Sequence, residues 1–538
     1  MTSFNLSELF ERVAARVPTR EAIVASERRL DYSALDARAS RLANALAARG
    51  IGAGDHVGLV LANGSEYVEG MIAAYKLRAV PVNVNHRYVP GELHALFEDA
   101  DLRAAIVHRA FAPRTLEARE GLPRLRDVLV VDDDSGAALS GPVDDYERAL
   151  ADASEKREFP GRSSDDLYLV YTGGTTGRPK GVMWRHEDIF FAAMGGGDPM
   201  RRAGPIRRPE ELDGRITPEP VIALAAPPYM HAAAQWLMWS ELTTGGTLVT
   251  TPRGAFDPER IWQLVEAERV GMLLIVGDAM ATPLCDALES RRDREPPKSL
   301  FGVASGGALF SPAVKQRLQA LLPGRLVMDG LGSSETGTLG TEAPGASRGA
   351  ARFRVGPDTA VLGEDLRPVA PGSGVIGQLA RRGHIPLGYY KDAEKSRATF
   401  VAIDGVRWAL PGDLASVDAD GAIQLIGRGS QSINSGGEKV FPEEVESALK
   451  AHPTIFDAVV VGVRDARWGE RVVAVVQPRA GARIESEALT AFCRERLASY
   501  KLPRDLVVVD AVERTPAGKA DYRWAKAVAE ARLGGGGR

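Results

Sequence analysis

The eleven residues from Tyr171 to Gly181 constrain the fold of this chain more than any other segment. They read Tyr-Thr-Gly-Gly-Thr-Thr-Gly-Arg-Pro-Lys-Gly, after a strand-like apolar run at 167–170 and before a helix-like segment from His186. Glycines let backbone N–H groups turn toward an anion, threonine hydroxyls add neutral donors, and a lysine adds a point charge suited to phosphate. Such a loop after a strand predicts a polyphosphate cradle. The expected phosphate contacts are Thr172, Gly173, Gly174, Thr175, Thr176, Gly177 and Lys180.

The loop is not a Walker A motif, because Pro179 separates Lys180 from the turn and Gly181 follows the lysine. It resembles the phosphate loop of the adenylate-forming enzymes, a superfamily that includes acyl-CoA synthetases, luciferases and adenylation domains. Gly173 departs from that pattern, since a hydroxyl residue is more usual there. The resemblance implies an α/β fold, with a large N-terminal domain of layered subdomains and a small, mobile α+β C-terminal domain.

The composition indicates a globular enzyme. Hydrophobic residues make up 44% and charged residues 26% of the 538 positions, and 67 basic against 71 acidic side chains give a net charge of −4. This balance gives no indication of nucleic-acid binding. The N-terminal residues carry early acids, no run of 18 apolar residues occurs, and the cysteines, Cys285 and Cys493, are far apart. We therefore expect a cytoplasmic protein without a membrane span or disulfides.

The order of apolar runs predicts two domains. Residues 1–150 alternate strand-like and helix-like segments, which favours parallel α/β layers. After Arg428 a short polar run suggests a hinge, and the remainder has the pattern of a compact α+β unit. We expect domains at 1–428 and 429–538, with the hinge near 428–431.

A second glycine-rich segment, 330–337, presents one carboxylate, Glu335. A carboxylate beside a triphosphate is repulsive unless Mg²⁺ lies between them. The segment resembles the superfamily block Y-G-x-T-E, which implies Glu335 as a catalytic residue and Mg²⁺ ligand. The hydroxyl of Thr172 in the phosphate loop is a second candidate Mg²⁺ ligand, and Thr172 is likewise expected to be catalytic. Leu331 departs from the pattern, since an adenine-stacking aromatic is usual there. The nucleotide contacts expected here are Asp329, Gly330, Leu331, Gly332, Ser333 and Ser334.

Three shorter matches complete the implied nucleotide site. Ser305, Gly306 and Gly307 resemble the turn on the adenine side, and Asp413 and Arg428 resemble the ribose contacts. The run 513–519 resembles the final block R-T-x-x-G-K and implies Lys519 as a catalytic cation at the α-phosphate and carboxylate. Negative charge that builds between two anions needs such a cation, and a mobile domain can withdraw it for a second step.

The segment 435–446 resembles the block that faces the active site during thioester formation. It implies that Gly436 and Gly437 let the pantetheine arm of coenzyme A pass close to the backbone. Lys439 is a candidate for a CoA phosphate contact, or else a solvated charge. The hinge carries Ser430 where Asp or Lys is usual, so the control of domain rotation is open.

The segment Pro227–His231 resembles the P-x-x-H block of acyl- and aryl-CoA synthetases. Amino-acid-activating relatives carry an aspartate in this pocket, so the resemblance implies an acid without an α-amine. His231 is expected near the carboxylate as a catalytic residue, or else as a wall residue. Many small residues nearby suggest a bulky or long apolar acid. The expected acid wall is Tyr229, Met230, His231, Trp236, Gly277, Met280 and Gly306.

The resemblance is strongest to actinobacterial-type acyl-CoA synthetases acting on sterol side chains or fatty acids. It implies an AMP-forming acid–CoA ligase that uses ATP, Mg²⁺ and coenzyme A. Three alternatives stay open: an enzyme that loads a carrier protein, a nucleotide-binding sensor, and an NAD-dependent oxidoreductase that rests only on the G-x-G-x-x-G at 372–377. His186-Glu187 lacks the second histidine of a zinc motif. A homodimer is also left open.

Overall fold

The computed structural model describes residues 3–26, 28–172, 179–291, 295–307, 310, 312–343, 352–428, 433–440, 442–450, 452–513 and 521–534. Within these residues the strands form three sheets of fifteen, eight and five strands. None of the helices in these residues is both long and apolar enough to cross a bilayer. The α/β class predicted from the alternating pattern is confirmed.

The strands of the described residues, in chain order, are β1 Glu21–Ala25, β2 Arg28–Asp31, β3 His56–Val60, β4 Val80–Asn83, β5 Leu102–His108, β6 Asp127–Val131, β7 Asp144–Asp145, β8 Leu167–Thr172, β9 Lys180–Arg185, β10 Ile222–Ala225, β11 Thr247–Thr250, β12 Met272–Ile275, β13 Gly302–Gly306, β14 Leu326–Ser333, β15 Gly337–Glu342, β16 Arg352–Val355, β17 Thr359–Leu362, β18 Gly377–Arg382, β19 Gly388–Tyr389, β20 Phe400–Ile403, β21 Val406–Ala409, β22 Asp413–Val417, β23 Ile423–Arg428, β24 Ile433–Ser435, β25 Glu438–Val440, β26 Ile455–Asp465, β27 Gly469–Pro478 and β28 Asp505–Val508.

The α-helices are α1 Leu6–Arg16, α2 Tyr32–Ala48, α3 Ser65–Lys76, α4 Pro90–Asp99, α5 Ala112–Arg119, α6 Tyr146–Asp152, α7 His186–Ala193, α8 Ala232–Thr244, α9 Pro258–Ala267, α10 Gly277–Ser290, α11 Pro312–Leu321, α12 Ala393–Thr399, α13 Pro442–Lys450, α14 Ser486–Arg494 and α15 Tyr522–Gly534. Short 3₁₀ helices lie at Arg109–Phe111, Pro209–Arg215 and Ser499–Lys501.

The largest sheet is parallel in one part and antiparallel in the other. Strands β1, β11, β10, β12, β13 and β14 are parallel, whereas β14 to β16 and the strands beyond them are antiparallel. The parallel register pairs Ile275 with Ser305 and Gly306 with Gly330. The carboxyl ends of β12, β13 and β14 therefore meet at one edge, where ligands of open α/β sheets commonly bind.

The second sheet places the phosphate loop. Strands β4, β3, β5 and β6 are parallel, β8 joins them beside β4, and β9 pairs antiparallel with β8. The last pair in that register joins Thr172 to Lys180. The loop therefore connects two strands of a hairpin, and β9 stands between it and the helix that begins at His186.

The third sheet belongs to the C-terminal part of the chain. Its strands β26 and β27 form a long antiparallel pair, and the other edge of β27 pairs with β24 at Gly469 and with β28 at Val473–Val476. Two clusters of buried side chains cover its two faces, one under α13 and α14 and one under α15. The α+β pattern predicted for the region after Arg428 is confirmed.

Candidate active site

A cavity of about 420 Å³ lies where the three sheets approach one another. Its wall includes residues of the phosphate hairpin, of α8, of the ends of β12 to β14, and of the C-terminal part of the chain. The lining residues that the argument uses are Tyr171, Thr172, Met230, His231, Trp236, Ser240, Val276, Ser305, Gly306, Gly307, Gly330, Leu331, Gly332, Ser333, Ser334, Gly437, Glu438, Lys439 and Tyr500.

Asn83 joins the phosphate strand to the segment before α8. Its side-chain Nδ2 donates to the carbonyl oxygens of Tyr171 at 2.9 Å and Met230 at 2.7 Å. Its Oδ1 accepts the Tyr171 N–H at 2.7 Å. Asn83 is the last residue of β4 and is buried. Because Tyr171 and Met230 directly precede Thr172 and His231, this one amide side chain fixes the positions of those two residues relative to each other.

Lys180 lies beside a second cation. Its Nζ is 5.8 Å from the centre of the Tyr389 ring and 3.9 Å from Asp392 Oδ2. Burial and the nearby ammonium group of Lys395 lower the pKa of Lys180 to about 8, although Asp392 and Glu335 act in the opposite direction. Two lysines that face each other make this region suited to an anion.

The turn that carries Glu335 is held from three sides. The Tyr389 hydroxyl donates to Glu335 Oε1 at 3.1 Å, and Trp184 Nε1 donates to the Ser334 carbonyl oxygen at 2.9 Å. Arg381 Nη1 donates to the carbonyl oxygen of Thr336 at 2.7 Å. The same nitrogen reaches the carbonyl oxygens of Thr338 at 3.0 Å and Ala192 at 3.3 Å.

The ends of β13 and β14 approach each other closely. The Ser305 hydroxyl accepts the N–H of Gly277 at 3.0 Å, which fixes the start of α10 against β13. A Cβ at Gly332 would lie 2.3 Å from the carbonyl oxygen of Gly337, so only glycine fits there. Leu331 packs with Leu339 and Phe353 and is 7% exposed. It can therefore offer an adenine ring only limited apolar contact.

Glu438 of the C-terminal part reaches into the cavity. Its Oε1 lies 2.7 Å from Arg87 Nη1 and 3.2 Å from His231 Nε2. Burial raises the pKa of Glu438, but the charges of His231, Arg87 and His86 outweigh it and bring the pKa to about 2. A buried carboxylate with these partners stays charged.

Further contacts bring the loop at Gly437 to the mouth of the cavity. Asn85 Nδ2 donates to the Tyr500 hydroxyl at 3.2 Å, and Lys501 Nζ donates to Glu92 Oε1 at 2.8 Å. Gly437 has a φ of 83°, and a Cβ there would lie 2.8 Å from Val276 Cγ1. The backbone of this loop therefore lies against the end of β12 with no room for a side chain.

One face of α8 forms an apolar wall. The helix follows His231 and ends at Gly245, whose φ of 78° is a common left-handed helix end. Ala233, Trp236, Leu237 and Ser240 recur at spacings of three and four residues and line the cavity. An extended apolar group could therefore lie along this helix.

Residues 10–390 match the family model described as "AMP-binding enzyme". Residues 444–519 match the model described as "AMP-binding enzyme C-terminal domain". The chain belongs to the AMP-binding enzyme family. This agrees with the adenylate-forming resemblance predicted from the phosphate loop.

Curated relatives of this AMP-binding enzyme are similar over nearly their whole length. A "medium/long-chain-fatty-acid--CoA/3-oxocholest-4-en-26-oate--CoA ligase" of Mycolicibacterium smegmatis is 46% identical, covering 98% of this chain and 97% of the relative. A "3-oxocholest-4-en-26-oate--CoA ligase" of Rhodococcus rhodochrous is 43% identical, covering 97% and 96%.

Solved structures share the fold of this AMP-binding enzyme. The o-succinylbenzoate CoA synthetase of Bacillus subtilis, as a double mutant with a product analogue, superposes with a TM-score of 0.80 at 23% identity. That match covers 96% of this chain and 98% of the other. An amide bond synthetase of Marinactinospora thermotolerans gives a TM-score of 0.79 at 23% identity, covering 96% and 99%.

The structure brings most of the predicted site residues together. The cavity wall contains Thr172, His231, Trp236 and the turns at 305–307 and 330–334. Lys439 lines it as well. Asp413 pairs with Arg428 through the β22–β23 backbone, and Asp329 is buried on β14 beside Ser305.

Three residues expected in the acid wall lie elsewhere. Tyr229 is 1% exposed, and its ring packs 5.6 Å from that of Tyr67. Met280 is half-buried and packs against the hydrophobic cluster of α9 and α10, and it is not among the residues that line the cavity. Gly277 takes part through its N–H bond to Ser305, and the neighbouring Val276 lines the cavity in its place.

Several residues of the candidate site were not identified from the sequence. Asn83, Arg87 and Arg381 act through contacts with segments far away in sequence, and no local pattern marks them. Glu438 lies in the segment 435–446, which was identified by resemblance. Its partner His231 is far away in sequence, so the contact depends on how the C-terminal part packs against the rest of the chain. Lys395 could have been suspected from its place three residues after Asp392 on a helix turn.

Some expected contacts lie outside the described residues. These are Gly173, Gly174, Thr175, Thr176, Gly177 and Lys519, together with the hinge positions 429–431. The chemistry assigned to them stays a prediction.

Proposed function

We propose that this AMP-binding enzyme is an ATP-dependent, AMP-forming acid–CoA ligase. The observation that supports it most is the meeting of three elements at one cavity: the phosphate hairpin at Thr172, the α8 wall that begins at His231, and the glycine loop at Gly437. A nucleotide, an apolar acid and a thiol each have an element suited to them. The curated relatives named as CoA ligases support the same reaction class.

In the first half-reaction a carboxylate oxygen of the acid attacks the α-phosphorus of ATP. A new P–O bond forms, the bond to the β-phosphate oxygen breaks, and pyrophosphate leaves with Mg²⁺. Lys180 and the hairpin would hold the β- and γ-phosphates, which leaves the α-phosphate open to attack. Lys519 is proposed to neutralise charge between the two anions.

Mg²⁺ enters this reaction as part of the ATP complex. It is usually held by one or two carboxylates together with substrate phosphates and waters. Glu335 offers such a carboxylate on a turn fixed by Tyr389, Trp184 and Arg381, and Thr172 ends the neighbouring hairpin strand with a hydroxyl. These hard oxygen donors fit the ion, which would shield the phosphate charge from Glu335.

In the second half-reaction the CoA thiol attacks the acyl carbon. A C–S bond forms, the acyl–phosphate bond breaks, AMP leaves, and the thiol proton is released. Gly436 and Gly437 would flank the pantetheine arm, with Lys439 near its phosphates. We propose domains at 1–428 and 429–538 that rotate about 428–431 between the two half-reactions.

The acid is proposed to be a fatty or steroid side-chain carboxylate. The α8 face offers alanine, leucine and tryptophan side chains, which suit an apolar acid. The names of the relatives include both acid classes. Since its co-substrates are ATP and CoA, we place the enzyme in the cytoplasm.

The test is product analysis with ATP and Mg²⁺, using octanoic, hexadecanoic, benzoic and steroid side-chain acids. Each acid is offered with CoA or with a phosphopantetheinyl carrier protein. We expect AMP, pyrophosphate and an acyl-CoA in equal amounts with apolar acids. Acylation of the carrier protein alone would contradict the CoA assignment.

Lys519→Ala separates the half-reactions. We expect it to reduce ATP–pyrophosphate exchange severely and to spare thioester formation from supplied acyl-adenylate. An equal loss of both would contradict the role given to Lys519.

A further inference from the structure

Ser240 is a buried polar residue in an otherwise apolar stretch of the acid wall. It is 6% exposed, and it lines the cavity together with Ala233, Trp236 and Leu237 on the same face of α8. Its carbonyl oxygen accepts the hydroxyls of Thr243 and Thr244. Its own hydroxyl has no hydrogen-bond partner among the residues that the structure describes.

When an apolar ligand fills the cavity, a hydroxyl that faces it without a partner loses the hydrogen bonds that it makes to water in the empty site. Alanine would complete the apolar face of α8 at no such cost. A serine that faces a ligand cavity is therefore best explained by a partner that the ligand supplies.

The position of Ser240 defines where that partner lies. His231 stands immediately before α8 and contacts Glu438, and it is the residue that the sequence resemblance places near the carboxylate of the acid. Ser240 is nine positions further on and is the last residue of the helix in the cavity wall, so it lies about 14 Å along the axis from His231.

We propose that Ser240 is a specificity residue that hydrogen-bonds an oxygen atom at the distal end of the acid. This rests on the proposed function, and it narrows the substrate class. The preferred acid is then an extended apolar molecule with a carboxylate at one end and a hydroxyl or carbonyl oxygen at the other. A plain fatty acid is still accepted, but it leaves the Ser240 hydroxyl unpaired.

The probes are alkanoic acids and their ω-hydroxy counterparts, from octanoic to hexadecanoic acid, with ATP and CoA. The quantity measured is the ratio of kcat/KM for each ω-hydroxy acid to that of the plain acid of equal length. In the wild-type enzyme this ratio should peak at one chain length. Ser240→Ala should lower the ratio at that length about three- to tenfold, the worth of one neutral hydrogen bond, and leave it unchanged for shorter acids.

Thr243→Val is the matched control. Thr243 is on the same helix and buried, but its hydroxyl donates to the Trp239 carbonyl oxygen at 2.7 Å and does not line the cavity. This variant should keep the wild-type ratio at every length. Ser240→Thr, which retains the hydroxyl, should restore part of the preference.

Two outcomes would overturn the inference while the proposed function stands: a ratio without a peak in the wild-type enzyme, or an equal effect of Ser240→Ala on both acids of a pair. Dissociation constants of acyl-sulfamoyl adenosines with and without the ω-hydroxyl give the same comparison without turnover. If no acid yields a CoA thioester but these analogues bind with the expected preference, the CoA assignment fails and the role of Ser240 holds.

Discussion

His231 Nε2 lies 3.2 Å from Glu438 Oε1, across the boundary between the α8 wall and the C-terminal sheet. Arg87 approaches the same oxygen at 2.7 Å. Because these charges outweigh burial and bring the pKa of Glu438 to about 2, the carboxylate is ionised throughout the neutral range. The contact therefore holds the loop at Gly437 against the cavity by charge.

Glu438→Gln should impair the second half-reaction selectively. The amide keeps the shape of the side chain but removes the buried carboxylate charge that pairs with Arg87 and His231. We expect thioester formation from supplied acyl-adenylate to fall at least about tenfold, the effect of losing one charged hydrogen bond. ATP–pyrophosphate exchange should change little. Glu487→Gln, an exposed position on α14, is the charge-matched control; an equal loss of both half-reactions would contradict the assignment.

Lys180 and Lys395 together should set the pH above which kcat/KM for MgATP decreases. The pKa of Lys180 is lowered to about 8, so its positive charge is lost as the pH rises through this value. We expect kcat/KM for MgATP to fall above about pH 8. Lys395→Met removes the neighbouring charge, raises the pKa of Lys180 and should move the decrease to higher pH. Lys391→Met, whose partner is Asp101, serves as control; an unmoved decrease in Lys395→Met would refute the coupling.

Arg381 should position the Glu335 turn. Its Nη1 donates to the carbonyl oxygens of Thr336 and Thr338, which follow Glu335, and to that of Ala192 on α7. Arg381→Met should raise the Mg²⁺ concentration needed for half-maximal pyrophosphate exchange several-fold and spare thioester formation from acyl-adenylate. Arg407→Met is matched, because Arg407 also donates to two carbonyl oxygens, those of Pro386 and Leu387. A merely structural role of Arg381 would lower both half-reactions without changing the Mg²⁺ requirement.

The buried Glu241 should make folding stability depend on pH. Burial raises its pKa from 4.5 to about 8. Between these values the unfolded chain releases the proton and the folded chain keeps it, so stability falls as the pH rises through this window, by up to about 1.4 kcal/mol per unit. Glu241→Gln should flatten the dependence in urea unfolding between pH 5 and 8. A parallel slope in wild type and variant would exclude Glu241 as its source.

The sequence predicts the parallel part of the fold well. Buried parallel strands appear as continuous apolar runs, such as the one at 57–61, and β3 is found at His56–Val60. The antiparallel strands from β15 to β23 are short and have mixed patterns, so local periodicity does not identify them. Their register depends on tertiary pairing, for example Arg352 with Gln424.

The candidate site is predictable where chemistry requires a residue type at a fixed spacing. The turns at 305–307 and 330–334 are of this kind, and the structure brings them to one edge. Contacts between distant segments, such as Asn83 with Met230 or Glu438 with His231, leave no local signal. The face that a helix presents is equally hard to predict, since the sequence places Met280 in the acid wall and the structure packs it against the cluster of α9 and α10.

The most direct test of the proposed reaction follows an oxygen atom. The enzyme is given hexadecanoic acid labelled with oxygen-18 in its carboxylate, together with ATP, Mg²⁺ and CoA, and the products are examined by mass spectrometry. Attack of the carboxylate on the α-phosphorus predicts one labelled oxygen in AMP for each acyl-CoA formed. Label in inorganic phosphate, or acyl-CoA formed with unlabelled AMP, would contradict the acyl-adenylate pathway.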